Sequence, residues 1–502
     1  MENLLRTSTL IVPNEISYLS AIQAFARETA QAAGFDKNDV EKILLALEEA
    51  ATNVIEHAYE EGEQAFFEVI FEPLTTGLKI IVKDKGLPFH PDEIAEYTTP
   101  TDVDDVAIGL GSFLMKNAVD ELVFHNLGRE GKELHLIKRH PYKSIVDYHD
   151  PSQLERFPEQ TIKGGAPVEE KALQVRLMKP SEAFDVSKLF YRAYGYSYGI
   201  DSIYYPDRFS QLIIDGSIIS AVTVTQENRV VGHAALVKDN PGANIAEAAM
   251  AAVQPDFRGY GCQNRMLALL VEEARKRGLV GIFSKAVTNH IYAQKAGQKV
   301  GFKRVALVVG LIPADRSFKG IHTELSQRES VAYGFLPIAN PRGITLYPPD
   351  HHREFVEMIF RTVGLERNFA RPPETPSSVQ DVAPLIKTTL VSSYNRATIE
   401  IHRYGTDTLS ETKAILKELR FKKIDEITLY LNLRYPETAL LCGEFEKLGF
   451  FIAGVLPFSH VGDALILQYL NNVPIDYDKI QVASETLEAI RAYVRDHDPN
   501  LT

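Results

Sequence analysis

The chain holds little of what would define it quickly. Two cysteines, Cys262 and Cys442, in 502 residues are too few for a disulfide scaffold and fit a reducing compartment. No run reaches the ~18 apolar residues that a membrane helix needs, and Met1–Glu15 lacks the basic-then-apolar pattern of an export signal, so a cytoplasmic location is expected. Positive charge is not in excess. With 54 Lys and Arg against 67 Asp and Glu, the formal net charge is −13, which argues against nucleic acid as the partner. No GxxxxGK[ST] phosphate loop, Gly-x-Ser-x-Gly elbow or metal-protease helix occurs. His351 and His352 stand side by side without a spaced third ligand, which argues against a metal site.

What is present is ordinary in bulk and specific in places. Hydrophobic residues at 45% and charged residues at 24% can fill globular cores, and the length suggests about three or four domains. From Pro141 to Glu170 periodicity gives way to Pro, Gly and charge, which reads as a linker over 141–171. A second join falls near Pro313–Ser330, with Arg371–Ser378 as a loop-like alternative. The expected domains are residues 1–140, 172–330 and 331–502.

The stretch EEAATNVIEHAY, Glu48 to Tyr59, closes a helix that Asp36 can N-cap. At ~100° per residue, Val40, Leu44, Leu47, Ala51, Val54 and Ala58 form one apolar stripe, and Glu49, Asn53 and Glu56 project from the other side. A carboxylate and a carboxamide one turn apart suit a general base and a Mg²⁺ ligand, or simply a solvated face. Downstream, an alternating strand through Leu78, Ile80 and Val82 runs into Asp84-Lys85-Gly86-Leu87-Pro88-Phe89. An acid followed by a glycine there suits an amino-bearing planar base, although such turns are common. After an acidic, Thr-rich loop, Ile108-Gly109-Leu110-Gly111 opens a helix expected to reach Leu122, leaving amide groups free for phosphate.

In this order the three pieces resemble the ATP-binding domain of the GHKL superfamily, in particular its anti-sigma-factor serine kinases, over residues 1–140. The resemblance implies a Bergerat-type α/β sandwich. Asn53 would coordinate Mg²⁺, Glu49 would be the base for phosphoryl transfer, and Asp84 would take the adenine amino group. Gly86 would admit the base, and Gly109 and Gly111 would form the phosphate lid. Ser112 follows the lid where many relatives carry a basic residue between the glycines.

Past the linker, a strand (Gln174–Met178), a helix (Ala183–Tyr194) and two strands (Ile218–Thr225, Val230–Lys238) lead to a fourth strand, Ala246–Val253. It enters Gln254-Pro255-Asp256-Phe257-Arg258-Gly259-Tyr260-Gly261 and a helix from Asn264. A glycine turn at a helix N-terminus offers amide donors to a pyrophosphate without lysine or metal. The VxPxxRGxG pattern resembles the acetyl-CoA loop of the GNAT acyltransferases, over residues 172–312. By that match Arg258, Gly259 and Gly261 hold the pyrophosphate, and the backbone near Ala252 and Val253 faces the pantetheine arm. Asn289, Gly301 and Phe302 match a second part of the pattern. Gly297 stands where many members carry the tyrosine that protonates the departing thiolate, and Glu247 is the candidate base for the acceptor amine.

Residues 331–502 alternate strands and helices again. Glu446-Lys447-Leu448-Gly449-Phe450 echoes Gln298-Lys299-Val300-Gly301-Phe302, but no RGxG loop occurs between Arg396 and Ala439. A second, degenerate GNAT-like unit fits this pattern, as does a chance helix cap. A tyrosine cluster from Tyr191 to Tyr205 suits an acceptor pocket or a loop packing its own rings. The fold class expected is therefore a multidomain α/β (α+β) chain: a Bergerat-type sandwich, one GNAT fold and a second GNAT-like α/β unit. The function expected is an ATP-binding signalling protein, kinase-like at its N-terminus, coupled to an N-acetyltransferase using acetyl-CoA or another acyl-CoA on a protein or small-molecule amine. Its partner would be an anti-sigma-antagonist-like regulator. The alternative is a non-catalytic partner-switching regulator that binds ATP and acyl-CoA as ligands.

Overall fold

The computed structural model describes residues 7–60, 63–86, 110–127, 131–148, 173–196, 198–240, 242–314, 327–373, 382–391 and 394–501. Two compact units emerge, Asn3–Ser144 and, apart from the first two residues, Ile145–Thr502.

The first unit runs β1 (Ser8–Pro13), α1 (Leu19–Ala32), α2 (Lys37–His57), β2 (Phe66–Leu74), β3 (Gly77–Asp84), α3 (Leu110–Ala118), β4 (Glu121–Asn126) and β5 (Lys132–Arg139). The strands form an antiparallel sheet in the order β1-β2-β3-β5-β4. Val69, Phe71, Ile80, Val82 and Leu136 from the sheet meet Ile22, Ala26, Leu44, Leu47, Ala51 and Val54 from the helices in one core. The stripe read from the sequence of α2 is the buried one, because i, i+3, i+4 and i+7 residues share a helix face. Asp36 caps this helix, its side chain accepting from the Asp39 amide at 2.9 Å. The helix expected to reach Leu122 stops at Ala118 instead. Leu122 lies in β4 paired with Leu136, where apolar residues every second position serve the sheet.

The second unit runs α4 (Ile145–Tyr148), β6 (Gln174–Leu177), α5 (Ala183–Tyr194), α6 (Pro206–Ile214), β7 (Ile218–Val224), β8 (Val230–Val237), β9 (Ile245–Val253), α7 (Cys262–Lys276), β10 (Gly281–Val287), α8 (Tyr292–Val300), β11 (Lys303–Ile312) and β12 (Glu329–Pro337). It continues through β13 (Thr345–Leu346), α9 (Arg353–Val363), β14 (Asn368–Phe369), β15 (Leu385–Val391), β16 (Arg396–Arg403), α10 (Thr408–Phe421), β17 (Glu426–Asn432), α11 (Pro436–Lys447), β18 (Phe451–Ser459), β19 (Gly462–Leu470) and α12 (Glu485–Asp496). Twelve strands share one sheet, ordered β15-β16-β17-β19-β18-β11-β12-β10-β9-β8-β7-β6.

That order contains a repeat. β8 and β9 are antiparallel, β9 and β10 parallel, and β10, β12 and β11 antiparallel in turn. β15, β16, β17, β19 and β18 follow the same sequence of pairings. The echoed segments occupy equivalent places. Gly301 ends α8 and Gly449 follows α11, both with φ near +100° (107° and 99°), a region where glycine costs least. Phe302 and Phe450 are both buried as β11 and β18 begin.

The halves meet at β11 and β18 through the single pair Ala306↔Gly454. Gln468 of β19 extends the join, its buried carboxamide accepting from the Val309 amide at 2.9 Å and donating to the Val309 carbonyl at 3.2 Å. A boundary at 330/331 falls inside β12, which lies between β10 and β11.

Candidate functional site

In the first unit the nominated residues line up along α2. Glu49 and Asn53 are one turn apart, away from the apolar stripe, with Asn53 exposed and Glu49 half-buried. A Cβ on Gly111 would sit 2.6 Å from Glu49 Oε2, so the start of α3 passes directly over that carboxylate. Burial raises the Glu49 pKa above its ordinary 4.5, and the charges of Glu48 and Glu56 add to the effect.

At the other end of the row, Asp84 is buried at the end of β3. Its Oδ1 accepts from the Gly86 amide at 2.9 Å and lies 3.4 Å from Lys132 Nζ. A Cβ on Gly86 would fall 2.0 Å from the Ala58 carbonyl oxygen, so only glycine lets the chain pass the end of α2 this closely. From Glu49 to Ala58 the helix rises about 13 Å at 1.5 Å per residue, on the order of an extended nucleoside triphosphate. A purine at Asp84 would thus bring its terminal phosphate toward Glu49 and the first turn of α3. Gly109, with Leu87, Pro88 and Phe89, lies outside the described residues.

In the second unit the site is a cleft of about 730 Å³ where β9 and β10 part. The two strands pair only from Gly281↔Ile245 to Ser284↔Ala248; beyond that, Ala251, Ala252 and Val253 of β9 and Lys285 and Val287 of β10 line the cleft. A bulge drives the divergence. Met250 takes φ +53°, its amide donates to Tyr198 Oη at 2.8 Å, and its carbonyl meets His233 Nδ1 at 2.7 Å. The tyrosine cluster therefore does two things: Tyr198 packs inward on Phe190 while Tyr194 lines the cleft. In the second half, β16 and β17 stay paired from Arg396↔Glu426 to Ile401↔Leu431, so no equivalent opening forms between them.

The glycine turn sits at the mouth of the cleft. Gly259 and Gly261 hold φ of +92° and +70° with nothing within 4 Å of an added Cβ, so the backbone conformation alone demands glycine. Gly261 N-caps α7 without a side-chain bond, and the first amides of a helix have no partner within it. Arg258 Nε donates to the Val253 carbonyl at 3.3 Å, and the exposed residue lines the cleft. Asn289 Oδ1 and His290 Nδ1 are buried, line the cleft and have no hydrogen-bond partner. Unpaired amides, a guanidinium and a free carboxamide oxygen fit an acyl-CoA thread of phosphates and amides.

The supporting residues were not nominated from the sequence. Glu329 Oε1 accepts from the Thr288 and Asn289 amides at 2.7 and 2.9 Å and fixes the end of β10. Burial lowers the His290 pKa below its usual 6.5 and so favours its neutral form. The dipeptide Asn289-His290 was the available signal, but only Asn289 was read from it. Gly297 faces Phe302 and Arg304, and Tyr292 stands exposed at the cleft edge.

Each unit thus pairs a recognisable fold with a helix N-terminus at its candidate site: an ATPase-type sandwich and an acyltransferase-type split sheet. Residues 12–138 match the family described as Histidine kinase-like ATPase domain, and residues 184–302 match the Acetyltransferase (GNAT) family. The serine-protein kinase RsbW of Bacillus subtilis is 30% identical over 120 residues, 23% of this chain and 75% of that protein. Its counterpart from Bacillus pumilus is 33% identical over 118 residues, 22% of this chain and 73% of that protein. The solved GNAT-superfamily phosphinothricin acetyltransferase from Sinorhizobium meliloti, in complex with acetyl-CoA, is 15% identical, covering 34% of this chain and 89% of that one with a TM-score of 0.28. The chain belongs to the histidine kinase-like ATPases related to RsbW, and it joins that domain to a GNAT acetyltransferase domain.

Proposed function

We propose that the chain is a signalling protein that binds ATP in its N-terminal unit and transfers an acetyl group from acetyl-CoA to an amine in the cleft of its second unit. The observation that carries the reading is the parting of β9 and β10 beside an uncapped helix N-terminus, with Asn289 Oδ1 left unpaired between them. Arg258, Gly259, Gly261 and Asn289 would hold the cofactor, with Val253 and its neighbours facing the pantetheine arm. Bound there, acetyl-CoA supplies an activated acyl thioester. The chain's residues orient it and the amine and take up a proton.

In the ATPase unit, Asp84 and Gly86 would take the adenine and Gly109 and Gly111 the phosphates. Asn53 would hold Mg²⁺, which neutralises phosphate charge, and Glu49 would accept the proton of a partner serine or threonine. Its raised pKa supports that role. A regulator of the anti-sigma-antagonist kind is the partner this implies. Residues 331–502 are read as a degenerate GNAT-like unit, on the repeated strand order and the unsplit β16–β17 pair. Gly297 favours a second reading, in which acyl-CoA is a bound signal that changes which surface is presented.

The test is acetyl transfer from labelled acetyl-CoA to a panel of amines and to candidate partner proteins, with wild type and Arg258→Glu compared. Transfer by wild type that the variant loses supports the enzyme. Saturable acetyl-CoA binding without transfer selects the regulator, and no binding sinks both.

A further inference from the structure

A cluster in the second half of the long sheet is used by neither ligand site. His351 and His352 end a short 3-10 turn, Asp350–His352, just before α9, and Cys442 and Glu446 stand one turn apart on α11. The third ligand that the adjacent histidines lack in sequence arrives from 94 residues on. One donor atom from each of the four side chains lies within 4.8 Å of all the others. Glu446 spans the two rings, Oε2 at 2.9 Å from His351 Nε2 and Oε1 at 2.6 Å from His352 Nε2. Tyr493 of α12 stands behind them, its Oη 2.9 Å from His352 Nδ1 and donating to the His351 carbonyl at 3.2 Å.

We propose that His351, His352, Cys442 and Glu446 form a binding site for a four-coordinate divalent cation of the zinc class. Three lines of argument lead there. The first is spacing. Tetrahedral bonds of about 2.0–2.3 Å place donors roughly 3.3–3.8 Å apart, so the widest pairs, up to 4.8 Å apart, need close by about 1 Å, and the His352–Glu446 pair at 2.6 Å needs to open by somewhat less.

The second is support from behind. Tyr493 Oη lies 2.9 Å from His352 Nδ1, and with Nδ1 engaged there Nε2 is the nitrogen turned toward Glu446. An outer partner that fixes the tautomer and orientation of a ligating histidine is the usual support of such sites.

The third is donor chemistry. Cys442 is buried and in no disulfide. A thiolate with two imidazoles and one carboxylate suits zinc and disfavours magnesium or calcium, whose ligands are all oxygen. Four protein donors close the coordination shell, so the site is structural and ties the start of α9 to α11. His351, with 48% of its side chain exposed, gives the ion a way in.

The test uses the full chain. Metal content is measured after gel filtration without chelator, and Co²⁺ is titrated into the metal-free protein. About one zinc per chain and a tetrahedral Co²⁺ spectrum with a thiolate charge-transfer band are expected. Cys442→Ser should abolish that band. His351→Ala, at a half-exposed position that should not disturb folding, should lower metal affinity at least about tenfold. Melting of the wild type should fall on EDTA treatment, and melting of His351→Ala should not. Wild type without metal and without the Co²⁺ band would overturn the proposal, leaving a hydrogen-bonded His-Glu-Tyr core. Equal metal in wild type and both variants would overturn it too, since the ion would then bind elsewhere.

Discussion

Glu247 Oε2 lies 2.9 Å from Lys285 Nζ, across β9 and β10 at the point where they part. Burial pushes the Glu247 carboxyl up, but the positive charges around it, Lys285 first among them and Arg396 with it, together hold the net pKa below the usual 4.5. A carboxylate held this way is a poor proton acceptor, although its position is the one the sequence suggested for the base. His290 faces the same cleft with Nδ1 unpartnered and its pKa held below 6.5. The base must be unprotonated, so kcat/KM should rise with pH and level off above a midpoint lower than 6.5. His290→Ala should cost ~10²-fold and remove that limb, with Glu247→Gln costing less. A larger loss in Glu247→Gln would return the role to the glutamate.

Asp84 should decide nucleotide binding. Replacing it with Ala removes the acceptor for the adenine amino group at a cost of about 1–3 kcal/mol, roughly five- to 150-fold in ATP affinity by calorimetry. Asp84→Asn keeps an oxygen for the Gly86 amide and so separates folding from recognition. ATP binding unchanged in both variants would remove Asp84 from the site.

Glu49 carries opposed effects on stability and chemistry. Its pKa is raised, first by burial and then by Glu48 and Glu56, so its contribution to stability is present at low pH and is lost as pH rises through the folded-state pKa. At neutral pH Glu49→Gln should melt no lower than wild type, and its stability should vary less with pH between 4 and 7. Phosphoryl transfer to a partner serine should fall ~10²–10⁴-fold. Retained transfer would exclude Glu49 as the base.

Local elements were legible because their signals are local. Apolar spacing marked the buried face of α2, alternation marked β3, and the turn between two apolar runs marked β7 and β8, which are buried at every position. Glycines at positive φ marked Gly259 and Gly261, since backbone sterics at one residue leave a trace at that residue. What escaped detection depends on contacts distant in sequence. The Met250 bulge that opens the cleft rests on Tyr198 and His233, and nothing in the strand's own sequence announces it. Lys285 beside Glu247, and Cys442 beside His352, likewise exist only after the sheet has assembled. The KxGF echo was ambiguous with a helix cap until the two segments were seen at equivalent places in a repeated strand order.

The glycine turn can be tested without touching a side chain. Gly261 has φ +70° with open space around a Cβ, so Gly261→Ala is opposed only by backbone conformation, at roughly 1–2 kcal/mol. Shifting that turn moves the first amides of α7. Acetyl-CoA affinity should fall while ATP affinity stays put, as two titrations on one sample would report. Arg258→Glu should weaken acetyl-CoA further by placing negative charge beside its phosphates. Undiminished acetyl-CoA binding in both would move the cofactor elsewhere.

Gln468 bears on why twelve strands hold together across a seam with a single ladder pair. Its carboxamide supplies one donor and one acceptor to Val309, as a neighbouring peptide would. Gly454 lets the backbones approach, since a Cβ there would lie 2.4 Å from Ala306 Cα. Gln468→Leu keeps the volume but leaves the buried Val309 amide and carbonyl unpaired, each at about 1–3 kcal/mol. Gln468→Glu restores an acceptor for the amide but places a carboxylate against the carbonyl, and should be the worse of the two. Hydrogen exchange should quicken in β11 and β18 in both variants and stay unchanged in Asn3–Ser144, whose core is separate. Exchange at β11 no faster than in the wild type would mean that side-chain packing, with α12 lying over both strands, holds the seam without the carboxamide.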